Sequence, residues 1–595
     1  MRILIANRGE IACRLVQACH ELDHEAIAIY SHADRHARHV QLADEAVEVA
    51  SYLNVDAVVE AARRAGAAGI HPGYGFLSEN PELAEACQAA GVVFIGPPAG
   101  VIRLMGDKMA AKRLAAEAGL PLIPGSELQH ASQVGFPLLI KAAAGGGGKG
   151  MRSVASEAEF AAAFESAKRE ALAAFGDDRV FLERLITHGR HMEVQIVGDT
   201  YGQVVHFGER DCSIQRRYQK VVEEAPAPGL DDDLRRRLHA SAVDLARAAG
   251  YVGPGTVEFL VEGEDYYFLE MNTRLQVEHP VTELVCGIDL AKLQIEVAFG
   301  GSLASTVYRL PSTPIGHAIE ARVYAEDPAA GFLPATGVIR RLELPQGPGI
   351  RNDAGIQPGD EVGIGFDPLL AKLIVWGADR PEALARLRDA LRRYCILGLT
   401  TNLGFQLQIA EQPDFAAAKL STRFIDEHPP RAGGPDSDLA EAAHAWEGLR
   451  RSSDPFRQRL PLPAGAELLP DGGLMLHGRR YYLAEDERQV EVWRDGRRAV
   501  LPKLQPPSVE AAARGQAATE GEQSIVAPLT GMVVKVLAGE GEAVAAHQTL
   551  VVMEAMKMEH NVQAPFAATV ARVHVKAGAL ATAGSPMVDL LPKLA

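Results

Sequence analysis

The chain has 595 residues, 47% apolar and 23% charged; this is an ordinary soluble composition, too long for a single hydrophobic core, so at least three domains are expected. A formal net charge of −17 argues against a nucleic-acid partner while leaving room for a local basic phosphate site, and no apolar run approaches the roughly 18 residues of a membrane span. Six scattered cysteines without a CxxC pair, and a start at Arg2-Ile-Leu-Ile-Ala6 with no leader pattern, give a cytoplasmic expectation with neither nucleic acid nor membrane as partner.

Residues 1–95 alternate apolar strands (Ile3–Ala6, Ala26–Tyr30, Gly69–His71, Val92–Ile95) with an amphipathic helix from about Glu10 to Leu22, which predicts a doubly wound α/β domain. The turn Asn7-Arg-Gly-Glu10 is not the GxGxxG fingerprint, so a nicotinamide-binding reading loses its main support. His71-Pro-Gly-Tyr-Gly-Phe-Leu-Ser-Glu-Asn80 is dense in turn formers and reads as a loop at the carboxyl ends of the strands, where such sheets bind ligands. Further on, Lys108 starts a helix reaching about Ala118, and Lys141 ends the strand Phe136–Lys141. Directly behind it, Gly145 to Gly150 hold five glycines in six residues, enough for backbone N–H groups to wrap phosphates, with Lys149 and Arg152 adding charge. Gly150 follows Lys149 where a P-loop has Ser or Thr; the strand before and the helix from about Glu157 favour a mobile phosphate lid over a plain linker.

Glu270, Asn272, Arg274, Gln276 and Glu278 fall at period two, so an extended chain turns all five side chains to one face. Alone, that is the wet face of an edge strand. Upstream, Thr256–Val261 runs through Glu262-Gly-Glu-Asp265 into Tyr266–Glu270, and a hairpin centred on Glu264 sets Glu258 opposite Glu270 with Asn272 beside them. Oxygen ligands of this kind suit magnesium shared with nucleotide phosphates, manganese being a substitute. Arg274 offers a planar fork for a small oxyanion, Gln276 a neutral donor, and Glu278 a base.

Together with Glu209-Arg-Asp-Cys-Ser-Ile-Gln-Arg-Arg-Tyr-Gln-Lys-Val-Val-Glu-Glu224, this segment resembles biotin carboxylase, a likeness that extends through most of residues 1–428. The glycine run then resembles the glycine loop of ATP-grasp enzymes. By that resemblance Lys108, Lys141, Gly146, Gly147 and Gly148 contact ATP phosphates, while the Glu183 to Leu185 segment, His191 and Leu260 surround the adenine. Glu258 and Glu270 hold magnesium with Asn272 nearby; Lys220, Arg274, Gln276 and Val277 bind bicarbonate; Glu278 is the general base. Tyr218 stands where the family commonly has His, two residues before Lys220, and Cys212 reads as a buried structural thiol. Aligned on Gly337, Arg341 matches the family arginine that stabilises deprotonated biotin, with Arg340 as the alternative one register away; period two points them to opposite faces, so only one can serve.

Residues 313–428 return to mixed α/β, and Pro- and Gly-rich residues 428–436 mark a boundary. The small α+β region to 504 has a helix-like stretch, Leu439–Arg451, and strand pairs around Gly473 and Asp495-Gly496. It resembles a shortened subunit-docking domain of acyl-CoA carboxylase α subunits; a spacer is the other reading. Residues 505–523 have the composition of a disordered tether spanning roughly 25 Å as a coil. Beyond it, Ala527-Pro-Leu-Thr-Gly-Met-Val-Val and Ala564-Pro-Phe-Ala-Ala-Thr-Val-Ala align without a gap, predicting two interlocked sheets related by pseudo-twofold symmetry with Lys557 at the hairpin tip between the halves. Glu554-Ala-Met-Lys-Met resembles the biotinylation motif of carrier domains, with Lys557 bearing biotin.

The expected architecture is therefore a multidomain α/β ATP-grasp biotin carboxylase with an all-β biotinyl domain. Its expected divisions are 1–95, 96–312 with a lid at about 112–186, 313–428, 429–504, the tether 505–523, and the carrier 524–593. No second large catalytic domain fits in the chain, so carboxyl transfer belongs to a β carboxyltransferase partner. The resemblance also implies a biotin protein ligase acting on Lys557 and a biotin carboxylase homodimer within a larger α/β oligomer. Glu559-His560 resembles the 3-methylcrotonyl-CoA type; acetyl- or propionyl-CoA, pyruvate and urea carboxylases are alternatives, as is a carrier module whose ATP-grasp part is inactive.

Overall fold

The computed structural model describes residues 1–126, 134–143, 151–304, 314–431, 437–451, 465–487, 489–503, 523–555 and 558–592. Five parallel strands open the chain: β1 (Arg2–Ile5), β2 (Glu25–Tyr30), β3 (Glu45–Glu48), β4 (Gly69–His71) and β5 (Val93–Phe94), ordered β3-β2-β1-β4-β5. Alternate residues of β1 feed two cores. Ile3 and Ile5 meet Ile11, Leu15 and Val16 of the helix Gly9–Glu21, whereas Leu4 packs with Val58 and Leu83 on the other face. After β4 the chain turns through Gly73 at φ +63°. A Cβ there would lie 2.9 Å from Asn7 Nδ2, which donates to the Pro72 and Tyr74 carbonyls, so this turn needs glycine.

A small antiparallel sheet follows, made of β6 (Gly125–Ser126), β7 (Leu138–Ala142), β8 (Met151–Val154) and β9 (Val180–Arg184) in the order β6-β9-β7-β8. The helix Glu157–Phe175 backs it through Phe160, Phe164 and Ala167.

The largest sheet has eight antiparallel strands: β10 (Arg190–Gly198), β11 (Val204–Arg216), β12 (Gln219–Ala225), β13 (Gly253–Glu262), β14 (Asp265–Asn272), β15 (His317–Tyr324), β16 (Ile350–Ala354) and β17 (Leu369–Gly377). Their order is β14-β13-β10-β11-β12-β15-β17-β16. The division expected at 312–313 therefore does not separate two sheets. β12 pairs with β15, setting Glu223 opposite Glu320, and the hydrogen-bonded ladder runs straight across.

The helix Ser437–Arg451 lies on a five-stranded meander, Glu467–Leu468 through Arg497–Pro502, around Leu439, Trp446, Tyr481 and Val492. This module is bound to the preceding part: Arg498 donates to Thr400, and Glu491 accepts from the Gly398 N–H. The last segment forms two four-stranded sheets. Its strands repeat at a constant offset: Gly531–Val536 and Ala568–Val573, Ala543–Val544 and Leu580–Ala581, Thr549–Ala555 and Pro586–Pro592. Leu550 and Met587, equivalent in the two halves, are both fully buried in the shared core.

Candidate active site

Neighbouring strands of the large sheet line up three carboxylates. Glu193 on β10 sits opposite Glu258 on β13, and Glu258 sits opposite Glu270 on β14. The β13–β14 hairpin turns at Gly263, φ +64°, with Glu262 opposite Asp265, so it is not centred on Glu264; a bulge between Glu258 and Phe259 restores the expected Glu258–Glu270 pair. So much negative charge under cover requires cations. Lys220 on β12 supplies one, its Nζ donating to Glu193, to Glu258 at 3.0 Å and to Glu278 at 2.6 Å. Arg210, fully buried on β11, binds the other Glu193 oxygen and also Gln195, Thr256 and Thr282.

The stripe from Glu270 to Glu278 departs from the expected extended run. β14 ends at Asn272, and Glu278 caps the helix His279–Cys286. The cause lies in the 71–80 loop, whose Glu79 accepts from the Thr273 N–H at 3.1 Å and from Arg274 Nε at 3.1 Å, pulling the chain out of the sheet. The side chains converge nonetheless. Arg274 donates to Asn272 at 3.0 Å and to Gln276 at 2.8 Å; Gln276 and Asn272 both donate to Glu258 Oε1. The Val277 carbonyl accepts from buried Lys372.

Burial would raise the Glu278 carboxyl, but Lys220, Arg322 and Arg210 outweigh it and hold it well below the usual carboxylate range. Glu258 is likewise held low against burial by Lys220 and His191, whose ring nitrogen lies 2.9 Å from it. Glu270 moves the other way, raised by burial and by Glu258, with Lys108 Nζ 3.9 Å away as partial compensation. Two carboxylates a strand apart, Glu258 buried and Glu270 partly exposed and short of positive charge, with an amide beside them, fit a hard divalent cation. His191, Glu193 and Glu258 also bring donor atoms within 4.8 Å of one another, but both Glu193 oxygens are taken by Arg210 and Lys220.

On the nucleotide side, Lys141 Nζ lies 2.6 Å from Glu183, and Lys112 binds the other Glu183 oxygen. The Glu183 carboxylate is thus a fully engaged buried anion. Leu260 faces His191 across β10 and β13, so the imidazole spans the space between Leu260 and Glu258. Gly146, Gly147, Gly148 and Lys557 lie outside the described residues. Met556 and Lys557 occupy the two positions between Ala555 and Met558, which pair as the last rung of the carrier hairpin. Cys212 is buried among Glu193, Lys220 and Glu278, and burial drives its thiol well above the ordinary value, as a structural thiol requires.

Arg341 is not among the groups brought together. It starts the strand Arg341–Glu343, and its guanidinium binds Glu343 and Asp471 and lies over Tyr482. Arg340 points to Asp486 and Glu491. Both arginines fasten the 437–503 module. A further guanidinium at the site, beside Arg274 and Arg210, is Arg322 on β15, 2.8 Å from Glu278 and 2.6 Å from Glu223. Sequence reasoning missed it along with Glu193, Arg210, Glu79 and Lys112. A signal existed for Arg322, because Glu320 and Arg322 put two charges on one face of an otherwise apolar eight-residue strand.

Family models match along the chain: "Biotin carboxylase, N-terminal domain" at residues 1–102, "Carbamoyl-phosphate synthase L chain, ATP binding domain" at 107–306, "Biotin carboxylase C-terminal domain" at 320–427 and "Biotin-requiring enzyme" at 523–590. A methylcrotonoyl-CoA carboxylase subunit alpha of Arabidopsis thaliana is 38% identical, covering 98% of this chain and 94% of that protein. The chain belongs to the α subunits of biotin-dependent acyl-CoA carboxylases. A propionyl-CoA carboxylase alpha chain of Ruegeria pomeroyi is also 38% identical, over 97% of this chain and 98% of its own. Among solved structures, the biotin carboxylase domain of Hydrogenobacter thermophilus 2-oxoglutarate carboxylase, a dimer with MgADP and bicarbonate, superposes with a TM-score of 0.71 at 43% identity, covering 73% of this chain and 99% of that one. As an acyl-CoA carboxylase α subunit, the chain couples an ATP-dependent biotin carboxylase to its own biotin carrier. Among the described residues no helix is long and apolar enough to cross a membrane.

Proposed function

We propose that this chain carboxylates the biotin on its own Lys557 and hands it to a β carboxyltransferase subunit of the 3-methylcrotonyl-CoA type. The observation that carries the assignment of roles is the contact of Glu278 with both Lys220 and Arg322 beside the Glu258–Glu270 pair. Magnesium carried with ATP neutralises phosphate charge, and biotin is the acceptor of the carboxyl group. Glu258 and Glu270 hold the cation with Asn272; Lys108, Lys141 and Gly146, Gly147 and Gly148 steady the phosphates, and Glu183, His191 and Leu260 line the adenine side. Lys220, Arg274, Gln276 and the Val277 N–H grip bicarbonate, whose proton passes to a Glu278 carboxylate oxygen. Arg322, in contact with the base beside which negative charge develops next, is a second arginine for deprotonated biotin, the role the resemblance gives to Arg341.

Lys557 requires a biotin protein ligase. The H. thermophilus dimer supports a homodimer of the carboxylase part. The 437–503 module, held firmly by Arg340, Arg341 and Arg498, is the docking element for the β subunit. Six free cysteines, five of them buried, suit the cytoplasm as a thiol-reducing compartment. The R. pomeroyi relative, at the same 38%, supports propionyl-CoA as the second reading.

Two measurements separate these statements. Purified chain with free biotin should cleave ATP only when bicarbonate is present; ATP cleavage indifferent to bicarbonate would end the carboxylase reading. Reconstituted with its β subunit, it should turn over 3-methylcrotonyl-CoA in preference to propionyl-CoA, and the opposite preference would move it to the propionyl type.

A further inference from the structure

The hydrophobic core of the carrier does not stop at the carrier's own residues. Leu333, from the strand Leu333–Pro334, and Ile364 belong to the carboxylase part, yet both pack against that core. Beside Leu333 lies the turn between β11 and β12. Its Arg216 donates to the Gly331 carbonyl at 3.0 Å and rests 4.2 Å over the Phe332 ring, so the turn and the Leu333 segment form one surface. On the carrier, His560 stands opposite Met553 in the tip hairpin, and its Nε2 is buried without a hydrogen-bond partner. Burial lowers the imidazole's affinity for a proton, and the charges of Arg217 and Arg216 lower it further.

The position of that turn matters more than its chemistry. Arg216 pairs with Gln219 and Gln215 with Lys220, so the loop beside Leu333, which packs on the carrier, is the end of the hairpin that carries the bicarbonate-binding lysine. Lys557 precedes His560 by three positions, at most about 11 Å of chain. We infer that Leu333, Ile364 and the Arg216–Arg217 turn form a loading seat that holds the carrier at the carboxylation site, with His560 as the carrier residue the seat recognises. This rests on the function proposed above and adds the surface by which the enzyme tells its own carrier from free biotin. The seat is small, two aliphatic side chains and a two-arginine turn, as suits a carrier that must leave for a second active site; covalent linkage makes a weak seat sufficient.

The test uses the full-length biotinylated chain and two readouts: ATP cleavage driven by free biotin, and single-turnover transfer of labelled bicarbonate to the carrier. Ile364→Asp and Arg217→Glu should leave the free-biotin rate within about twofold, since neither is among the groups assigned to ATP, bicarbonate or biotin, and slow carrier labelling by about tenfold or more. His560→Lys should slow labelling by repulsion from the turn, and the double variant Arg217→Glu with His560→Lys should restore it. Unchanged labelling in Ile364→Asp, or no restoration in the double variant, overturns the seat. Should a single variant lose both readouts through misfolding, the restoration experiment decides. A wild-type chain with no bicarbonate-dependent ATP cleavage would instead sink the functional reading, a different outcome from loss of carrier labelling alone.

Discussion

Glu278 is buried and still ionised, because Lys220 and Arg322 each donate to one of its oxygens. A carboxylate so well neutralised is a poor proton acceptor, so its basicity has to arrive with the substrate: bicarbonate competing for Lys220 frees one oxygen next to the proton to be taken. Glu278→Gln keeps the shape and removes the base, and should cut bicarbonate-dependent ATP cleavage by about 10²- to 10⁴-fold in steady-state assays. The sign of the pH dependence follows from a lowered folded-state pKa. Stabilisation from ionised Glu278 is complete above the unfolded carboxylate value of roughly 4.3 and is lost as pH falls towards the lower folded value. An acid limb in kcat/KM near neutral pH would therefore belong to another group, and its persistence in Glu278→Asp would show that. Arg322→Lys keeps the charge but loses the fork that joins Glu223 to Glu278; free-biotin turnover should fall by about 100-fold. The carboxylates and Arg274 were legible in the sequence because hairpin geometry and period two are local. Arg322 was not, since its partner lies 44 positions away in the chain, and only the sheet ladder of β12 and β15 brings it back.

At the scale of elements, the β13–β14 hairpin is written into Gly263 and its flanking alternation, while the bulge between Glu258 and Phe259 that sets Glu258 opposite Glu270 is not. Nor is the run after Asn272, because a contact 194 positions away, Glu79 on the Thr273 N–H, decides where the strand stops. The β11–β12 hairpin holds a different lesson. Its two-residue turn, Arg217 at φ +46° and Tyr218 at φ +67°, has the left-handed backbone that such turns normally fill with Asn-Gly. Tyr218 is 48% exposed there, at the position where the family commonly has His. Tyr218→Gly should relieve strain of about 1 kcal/mol, raising the melting temperature, and leave free-biotin ATP cleavage unchanged. A drop in turnover without loss of stability would assign Tyr218 a part in proton transfer.

Over the whole molecule, sequence reading succeeds where a structure is repeated and fails where it is shared. The carrier's strands recur at one offset because each half must build half of a common core, and that doubling is visible without any alignment. The sheet that continues across 312–313 is not legible for the opposite reason: two segments contribute adjacent strands to it, and no local pattern records that pairing. Carrier and carboxylase, in contrast, share no sheet among the described strands; besides the packing of Leu333 and Ile364 on the carrier core, the covalent link through residues 504–522 joins them. The contribution of that link is measurable. A tether of this length turns carrier charging into an intramolecular step at an effective concentration in the millimolar range. Cutting the chain at an inserted protease site within 504–522 should leave free-biotin ATP cleavage intact. Carrier labelling at micromolar protein should slow by about 10²- to 10⁴-fold and become proportional to carrier concentration. Labelling that stays first order after the cut would mean that the seat alone holds the carrier, and that the tether contributes nothing to the encounter.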